Sequence, residues 1–177
     1  MKRTRLQFES IHQIMGSDEL AVILLTDEER RHALTVVCDH PMTQQLMMRM
    51  QNPDVCRKML PEALLQMVPG DLDLMIYGLH NGQYQVVLSD ESFEHSVVIR
   101  LSDAVLLSII SNIPLYIEDQ LFASQCIPFE KDAKGVAIPI NTMDLPRLNV
   151  ALQRAIDEEN YELASQLRDE IKRREMV

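Results

Sequence analysis

The residues best suited to chemistry lie in the segment Arg-Leu-Ser-Asp-Ala at positions 100–104. Arg100, Ser102 and Asp103 place a guanidinium, a hydroxyl and a carboxylate within four positions of the chain. Phosphodiester hydrolysis uses a divalent cation held by oxygen ligands and a positive group that stabilises the developing charge. Asp103 is therefore a candidate ligand for Mg²⁺ or Mn²⁺, or a residue that orients water, with Arg100 on a phosphate.

The same three residues also fit an ordinary helix start. Ser102 suits the N-cap position, where its hydroxyl accepts a bond from a backbone N–H. Asp103 would then lie in the first turn, where a carboxylate favours the positive end of the helix. Arg100 can pair with Asp103 without doing chemistry. The sequence leaves both interpretations open.

Other acids and histidines extend the list of candidates. Glu62, Asp39 and Asp119 can add carboxylate ligands if the fold brings them close to Asp103, with Glu62 the preferred second metal ligand. His40 stands near a predicted strand-to-helix corner and is the histidine we take as a candidate catalytic group. His95 falls on the apolar side of an alternating segment, which indicates a buried structural histidine.

Composition restricts the class of protein. The chain has 177 residues and a net charge of −10, which argues against tight general binding to nucleic acid, because that affinity comes from basic surfaces. The acidic balance still permits a small metal-dependent site. Three cysteines without a C-x-x-C pair argue against disulfides and zinc. With no apolar stretch of membrane-spanning length and no signal-peptide pattern, we expect a cytoplasmic protein.

Hydrophobic periodicity predicts strands first and helices next. Residues 6–11, 21–25 and 33–38 read as strands, and 21–25 is apolar throughout, as in a strand buried on both faces. Helices are predicted over 41–50 and 60–68, each with a proline in its first turn.

A second group of strands follows from residue 71. Asn81-Gly82 is a strong hairpin signal that joins this strand to 84–88. A turn at 89–92 leads to a third strand over 93–99, and the segment 102–113 has one apolar helical face. A short strand at 115–117 follows Pro114, and 126–141 reads as a loop.

The C-terminal segment, residues 144–177, has no glycine and predicts two amphipathic helices joined by a tight turn at 158–160. Two helices alone bury little surface, so we expect the hairpin to pack on a protein partner or on a second copy in a homo-oligomer; packing back on its own domain is the alternative. The apolar stripes that would make this contact contain Leu148, Leu152, Ile156, Tyr161, Ala164, Leu167 and Ile171.

Two family resemblances follow from these motifs. Residues 6–130 resemble the bifunctional nuclease (DNase/RNase) domain family, in the order of elements and in Arg-Leu-Ser-Asp-Ala, which is close to that family's Arg-Pro-Ser-Asp-Ala. The continuation IISNIPLYIEDQLF is also similar. Met42 stands where family members carry glutamate, and Leu60-Pro61-Glu62 replaces a Thr-His-Asp-type element, retaining one acid. The resemblance implies a nuclease that cleaves DNA or RNA with Mg²⁺ or Mn²⁺.

The second resemblance is to the UVR motif, the helical hairpin named after the UvrB and UvrC excision-repair proteins. It is carried by ALQRAIDEENYELASQLRDEIKRRE, residues 151–175. The resemblance implies a protein-binding hairpin.

The sequence therefore predicts an α+β fold: a mostly antiparallel sheet with packed helices, followed by a C-terminal antiparallel helical hairpin. The predicted domains are a nuclease-like domain at 1–130, a linker at 131–143 and the UVR hairpin at 144–177. Two functions stay open, a metal-dependent nuclease and a non-catalytic interaction protein on a degenerate nuclease-like scaffold.

Overall fold

The computed structural model describes residues 2–14, 20–68, 70–90, 95–131 and 139–175. The chain divides into two compact units. The sheet unit contains Met1–Gly78 and Tyr84–Ala137, and the hairpin unit contains Leu79–Gln83 and Ile138–Val177. The predicted linker at 131–143 lies mostly outside the described residues.

The described strands form one eight-stranded sheet in the order β6-β5-β4-β7-β1-β2-β3-β8. Strands β4 and β7 pair in parallel, whereas β1–β2, β1–β7, β2–β3, β3–β8 and β5–β6 pair antiparallel. This architecture confirms the predicted α+β fold. The strands are β1 (Arg3–Gln13), β2 (Leu20–Asp27), β3 (His32–Asp39), β4 (Leu72–His80), β5 (Gln83–Asp90), β6 (Ser96–Ile99), β7 (Leu115–Glu118) and β8 (Ile127–Pro128).

Strand β2 is an interior strand of the sheet, between β1 and β3, and its residues 21–26 are all buried. Its neighbours β1 and β3 pair along nearly its whole length. The uninterrupted apolar run thus forms the doubly covered strand that the sequence predicts.

The helices are α1 (His40–Gln51), α2 (Pro53–Cys56), α3 (Leu60–Leu65), α4 (Leu101–Ser111), α5 (Asp119–Gln125), α6 (Leu145–Asp157) and α7 (Tyr161–Glu175), with a 3-10 turn at Ile140–Thr142. Helix α3 ends three residues before the predicted limit at 68. Residue 68 precedes Pro69, and the residue before a proline disfavours helical backbone. Among the described residues, no helix is both long and apolar enough to cross a membrane.

The predicted hairpin turn at Asn81-Gly82 is confirmed, with φ values of 49° and 79°. Such left-handed pairs match the twist of the flanking strands. The prediction that His95 is a buried strand residue is wrong. Strand β6 begins only at Ser96, and the His95 side chain is 86% exposed beside Asp90. The predicted turn residues 91–92 and Phe93 lie outside the described residues.

Within the hairpin unit, Gly82 approaches the C-terminal segment closely. A Cβ added to Gly82 would lie 2.7 Å from the carbonyl oxygen of Met143 and 3.1 Å from Nη1 of Arg174. The first distance is too short for any side-chain carbon. The tip of the β4–β5 turn and the residues before α6 therefore require glycine at this position.

We expect Gly82→Ala to lower the free energy of unfolding more than Gly70→Ala does, measured by urea titration. Both glycines have positive φ, 79° at Gly82 and 89° at Gly70. An alanine in such left-handed backbone costs about 1–2 kcal/mol at either position. Only at Gly82 does the new methyl group also meet backbone, because a Cβ at Gly70 has nothing within 4 Å. An equal decrease in the free energy of unfolding in the two variants would show that the close approach of Gly82 to Met143 is absent.

Candidate functional site

The candidate chemical residues lie at the start of α4. Arg100 occupies the N-cap position without a side-chain capping bond, and its carbonyl accepts a hydrogen bond from the Ala104 N–H at 3.0 Å. The prediction that Ser102 is the N-cap is wrong, because the helix begins earlier, at Leu101. Ser102 is the second helical residue and is half-buried. Asp103 lies in the first turn, as predicted.

Arg100 and Asp103 form a bidentate ion pair. Arg100 Nε lies 2.7 Å from Asp103 Oδ2, and Nη2 lies 3.1 Å from Oδ1. The predicted pairing is thus confirmed. Hydrogen bonds and the charge of Asp103 raise the pKa of Arg100, and the charge of Asp39 raises it further.

Asp39 and His40 lie at the start of α1, which packs against α4. Asp39 caps α1 through its Oδ1, which accepts a hydrogen bond from the Met42 N–H at 2.9 Å. His40 is exposed, and its Nε2 lies 2.7 Å from Nε2 of Gln44. The negative charge of Asp39 therefore acts on Arg100 from the start of α1, whereas Asp103 is the carboxylate that binds Arg100 directly.

Glu62 is buried in a different environment. Its two carboxylate oxygens accept hydrogen bonds from Nε and Nη2 of Arg49 at 2.7 and 3.0 Å. The side chains of Arg49 and Glu62 are only 4% and 10% exposed. The remaining guanidinium nitrogen of Arg49 donates to Oε1 and the carbonyl of Gln45. Both oxygens of Glu62 are therefore committed to an internal ion pair.

Arg49 is the residue that our sequence analysis missed. It follows Met42 and Leu46 at helical spacing, and all three are buried in α1. A charged residue on an apolar helical stripe requires a buried partner. That spacing was the available signal, although it does not identify Glu62 as the partner.

The described residues contain no group of three or more His, Cys, Asp or Glu side chains placed to hold a metal ion. Asp103 and Glu62, the predicted ligands, each bind an arginine with both oxygens. Asp119, a further candidate, accepts a hydrogen bond from Thr4 at 2.8 Å. A metal could use Asp103 only if that carboxylate left Arg100.

The second candidate site is the C-terminal hairpin, where α6 and α7 pack on each other around the predicted turn. Four of the predicted partner-binding residues lie in its buried core, and Leu152 packs against that core. Ile156 and Tyr161 lie on either side of the turn and are 46% and 69% exposed. The buried core consists of Leu148, Ala155, Ala164, Leu167 and Ile171.

Polar groups define the ends of both helices in the hairpin. Asp144 caps α6 through a hydrogen bond from the Arg147 N–H at 3.0 Å, and Asn160 accepts one from the Leu163 N–H at 3.2 Å. Glu159 has a φ of 55°, which closes the tight turn. These contacts explain why the hairpin turns at 158–160.

The end of α7 carries a buried arginine. Arg174 donates to the carbonyl oxygens of Met143 and Asn141 and, through Nε, to Glu170 at 2.7 Å. Arg173 also binds Glu170, at 2.7 and 2.9 Å. Hydrogen bonding from Arg173 and Arg174 lowers the pKa of Glu170 against the opposing effect of burial.

This lowered pKa predicts an acid-sensitive hairpin unit. The stabilisation by ionised Glu170 is fully present above its reference pKa of 4.5 and is lost as the pH falls through the lower folded-state value. Glu170→Gln should therefore reduce stability at pH 7, and the difference from wild type should shrink below pH 4.5. Urea titrations from pH 7 to below pH 4.5 measure this stability difference, with Glu162→Gln, at an exposed position, as the control. A difference that does not change with pH would contradict this assignment.

Comparison with known proteins identifies the hairpin. Residues 145–175 match the family described as the UvrB/uvrC motif (UVR). The matched segment begins with α6 and ends with α7, so the predicted UVR resemblance is confirmed. No curated protein matches the chain. The fold and this match define an α+β protein with a C-terminal UVR motif, while the resemblance to the bifunctional nuclease family stays a prediction.

Proposed function

We propose that this protein is an interaction module whose UVR hairpin binds another protein. The observation that carries the proposal is that residues 145–175 match the UVR motif and form a hairpin that retains exposed apolar side chains. Ile156 and Tyr161 flank its turn, and Val150 is exposed on α6. Aromatic side chains are common anchors in protein interfaces, which makes Tyr161 the principal contact in this proposal.

The internal packing of the hairpin supports this choice of residues. Leu148, Leu167 and Ile171 already fill the space between α6 and α7, so a partner can reach them only if the helices separate. A partner that leaves the hairpin intact must instead use its exposed residues, and we place the main contact at the turn, where Ile156 and Tyr161 lie on either side. The interaction then depends on Ile156 and Tyr161, supported by the charged residues around them.

The proposal is tested with the full chain as immobilised bait in an extract of the source organism. We expect a discrete retained protein whose recovery falls at least several-fold with Ile156→Glu/Tyr161→Glu. Asp169→Ser, on the exposed face of α7, is the matched control and should retain the partner. Circular dichroism verifies that the variants fold. Equal recovery by the wild type and the turn variant would overturn the proposal.

A metal-dependent nuclease is the second candidate, favoured by the ion pair of Asp103 with Arg100 at the start of α4 and by the charge of Asp39, which also acts on Arg100. Mg²⁺ is commonly held by one or two carboxylates together with water molecules, which two aspartates can supply. In this proposal Asp103 would leave Arg100 and hold the cation, and Arg100 would bind a phosphate oxygen. His40 stands beside Asp39 and is the candidate proton acceptor.

Purified protein incubated with single-stranded DNA or RNA, first with Mg²⁺ or Mn²⁺ and then with chelator, tests this second candidate. Cleavage that requires metal and disappears in Asp103→Asn, but not in Asp169→Asn, would support a nuclease. Absence of cleavage by folded wild-type protein would leave the interaction function alone. Because the cleavage assay needs no protein partner, its failure is distinct from failure of the capture experiment.

A further inference from the structure

Three methionines of the sheet unit have exposed side chains. Met47 and Met50 lie on α1, and Met67 follows the end of α3. Their side chains are 42%, 50% and 79% exposed. Methionine is among the residues most often buried in folded proteins. The thioether sulfurs of these three residues are therefore open to reactants in the surrounding water.

Helix α1 also carries a buried methionine, which allows a direct comparison. Met42 is only 8% exposed and lies with Leu46 on the buried side of the helix. Met47 and Met50 are three positions apart, and residues at this spacing lie on the same side of a helix. A reactant in water can thus reach the second pair of side chains while Met42 stays covered.

The segment that contains the three methionines has other exposed apolar side chains. Helix α3 exposes Leu60 and Leu64 and buries Glu62, whose carboxylate binds Arg49. Val55 on α2 is exposed as well. The orientation of α3 is therefore the reverse of an ordinary surface helix, with its charged group inward and its leucines outward. A polar group introduced at the methionines would change the character of this apolar surface.

Peroxides supply such a polar group by oxidising the thioether. The sulfur attacks one oxygen of hydrogen peroxide, an S–O bond forms and the O–O bond breaks. The second oxygen leaves as hydroxide and takes the proton of the transferred oxygen, giving water. Sulfur is oxidised and the peroxide is reduced. The resulting sulfoxide is polar and can be reduced again by methionine sulfoxide reductases.

We propose that Met47, Met50 and Met67 form a peroxide-sensitive site, at which reversible oxidation converts an exposed apolar surface into a polar one. The fold stays intact because the buried side of α1, which includes Met42 and Leu46, does not react. The site is independent of the UVR hairpin, since all three methionines belong to the sheet unit.

Treatment of the full chain with hydrogen peroxide, followed by mass spectrometry of its peptides, tests the proposal. Because oxidation follows exposure, we expect Met47, Met50 and Met67 to react at least roughly tenfold faster than Met42. The fluorescence of anilinonaphthalene sulfonate, a probe of apolar surface, should fall as they react, while the far-UV circular dichroism stays unchanged. A methionine sulfoxide reductase should restore the probe fluorescence.

The triple variant Met47→Leu/Met50→Leu/Met67→Leu keeps the apolar volume and removes the sulfurs. Peroxide should leave its probe fluorescence unchanged, whereas the matched control Met42→Leu should respond as the wild type does. Oxidation of Met42 at the rate of the exposed three overturns the proposal. An equal fall of fluorescence in the triple variant also overturns it, as does loss of the circular dichroism signal, which would show that peroxide acts on the fold.

Discussion

Replacing Glu62 with alanine is expected to lower the free energy of unfolding by about 3–5 kcal/mol, the usual loss when one member of a buried ion pair is removed. The guanidinium of Arg49 would stay in an almost fully buried position without its two bonds to the carboxylate. The cost comes mainly from this unpaired buried charge. Urea unfolding followed by circular dichroism provides the measurement.

The double variant Arg49→Met/Glu62→Leu distinguishes a buried charge effect from loss of packing. It removes both charges and keeps apolar volume, so its stability should lie close to that of the wild type. A double variant as unstable as Glu62→Ala would mean that the ion pair itself holds α1 and α3 together. A single variant with wild-type stability would show that Glu62 is free of Arg49 and available for ligands.

Leu167→Ala is expected to have a comparable effect in the hairpin unit, with a loss of about 2–5 kcal/mol. Leu167 is buried in the cluster that also contains Leu148 and Ile171, and truncation leaves a cavity between α6 and α7. The unit is small, so a loss of this size should separate the helices. Hydrogen exchange of the α6 and α7 amides measures the local stability directly.

The exposed residue Tyr161 supplies the matched control. Tyr161→Ala should change stability by less than about 0.5 kcal/mol, as is usual for surface substitutions. The two variants should nevertheless both lose the proposed partner, Leu167→Ala because the hairpin opens and Tyr161→Ala because the contact is removed. Retained binding by Leu167→Ala with unprotected α7 amides would mean that the partner recognises separated helices.

The two predicted metal ligands of the sheet unit, Glu62 and Asp103, are each held in an ion pair with an arginine, and the two pairs differ in burial. Glu62 is engaged by Arg49 inside the protein, whereas Asp103 is engaged by Arg100 at an accessible helix start. A nuclease site built on Asp103 therefore requires only a surface pair to open. A site that includes Glu62 requires a buried pair to break, which is far more costly.

Local patterns in the sequence determined much of the secondary structure. The apolar run in β2, the Asn81-Gly82 turn and the paired helices after Asp144 were all predictable, because each depends on residues close together in the chain. The UVR hairpin was also recognisable from its own segment. The N-cap of the helix near Arg100 was predicted with a two-residue shift, at Ser102 instead of Arg100, since several consecutive residues can serve as an N-cap.

Contacts between distant segments required the tertiary structure. The sequence contains Arg49 and Glu62 but does not show that α1 and α3 bring them together, and it does not show that Gly82 approaches Met143. The status of β6 as a sheet edge was equally hidden, because an alternating apolar pattern does not reveal whether a strand has one neighbour or two. Short-range preferences fix the elements, whereas burial, pairing partners and free edges depend on how those elements pack.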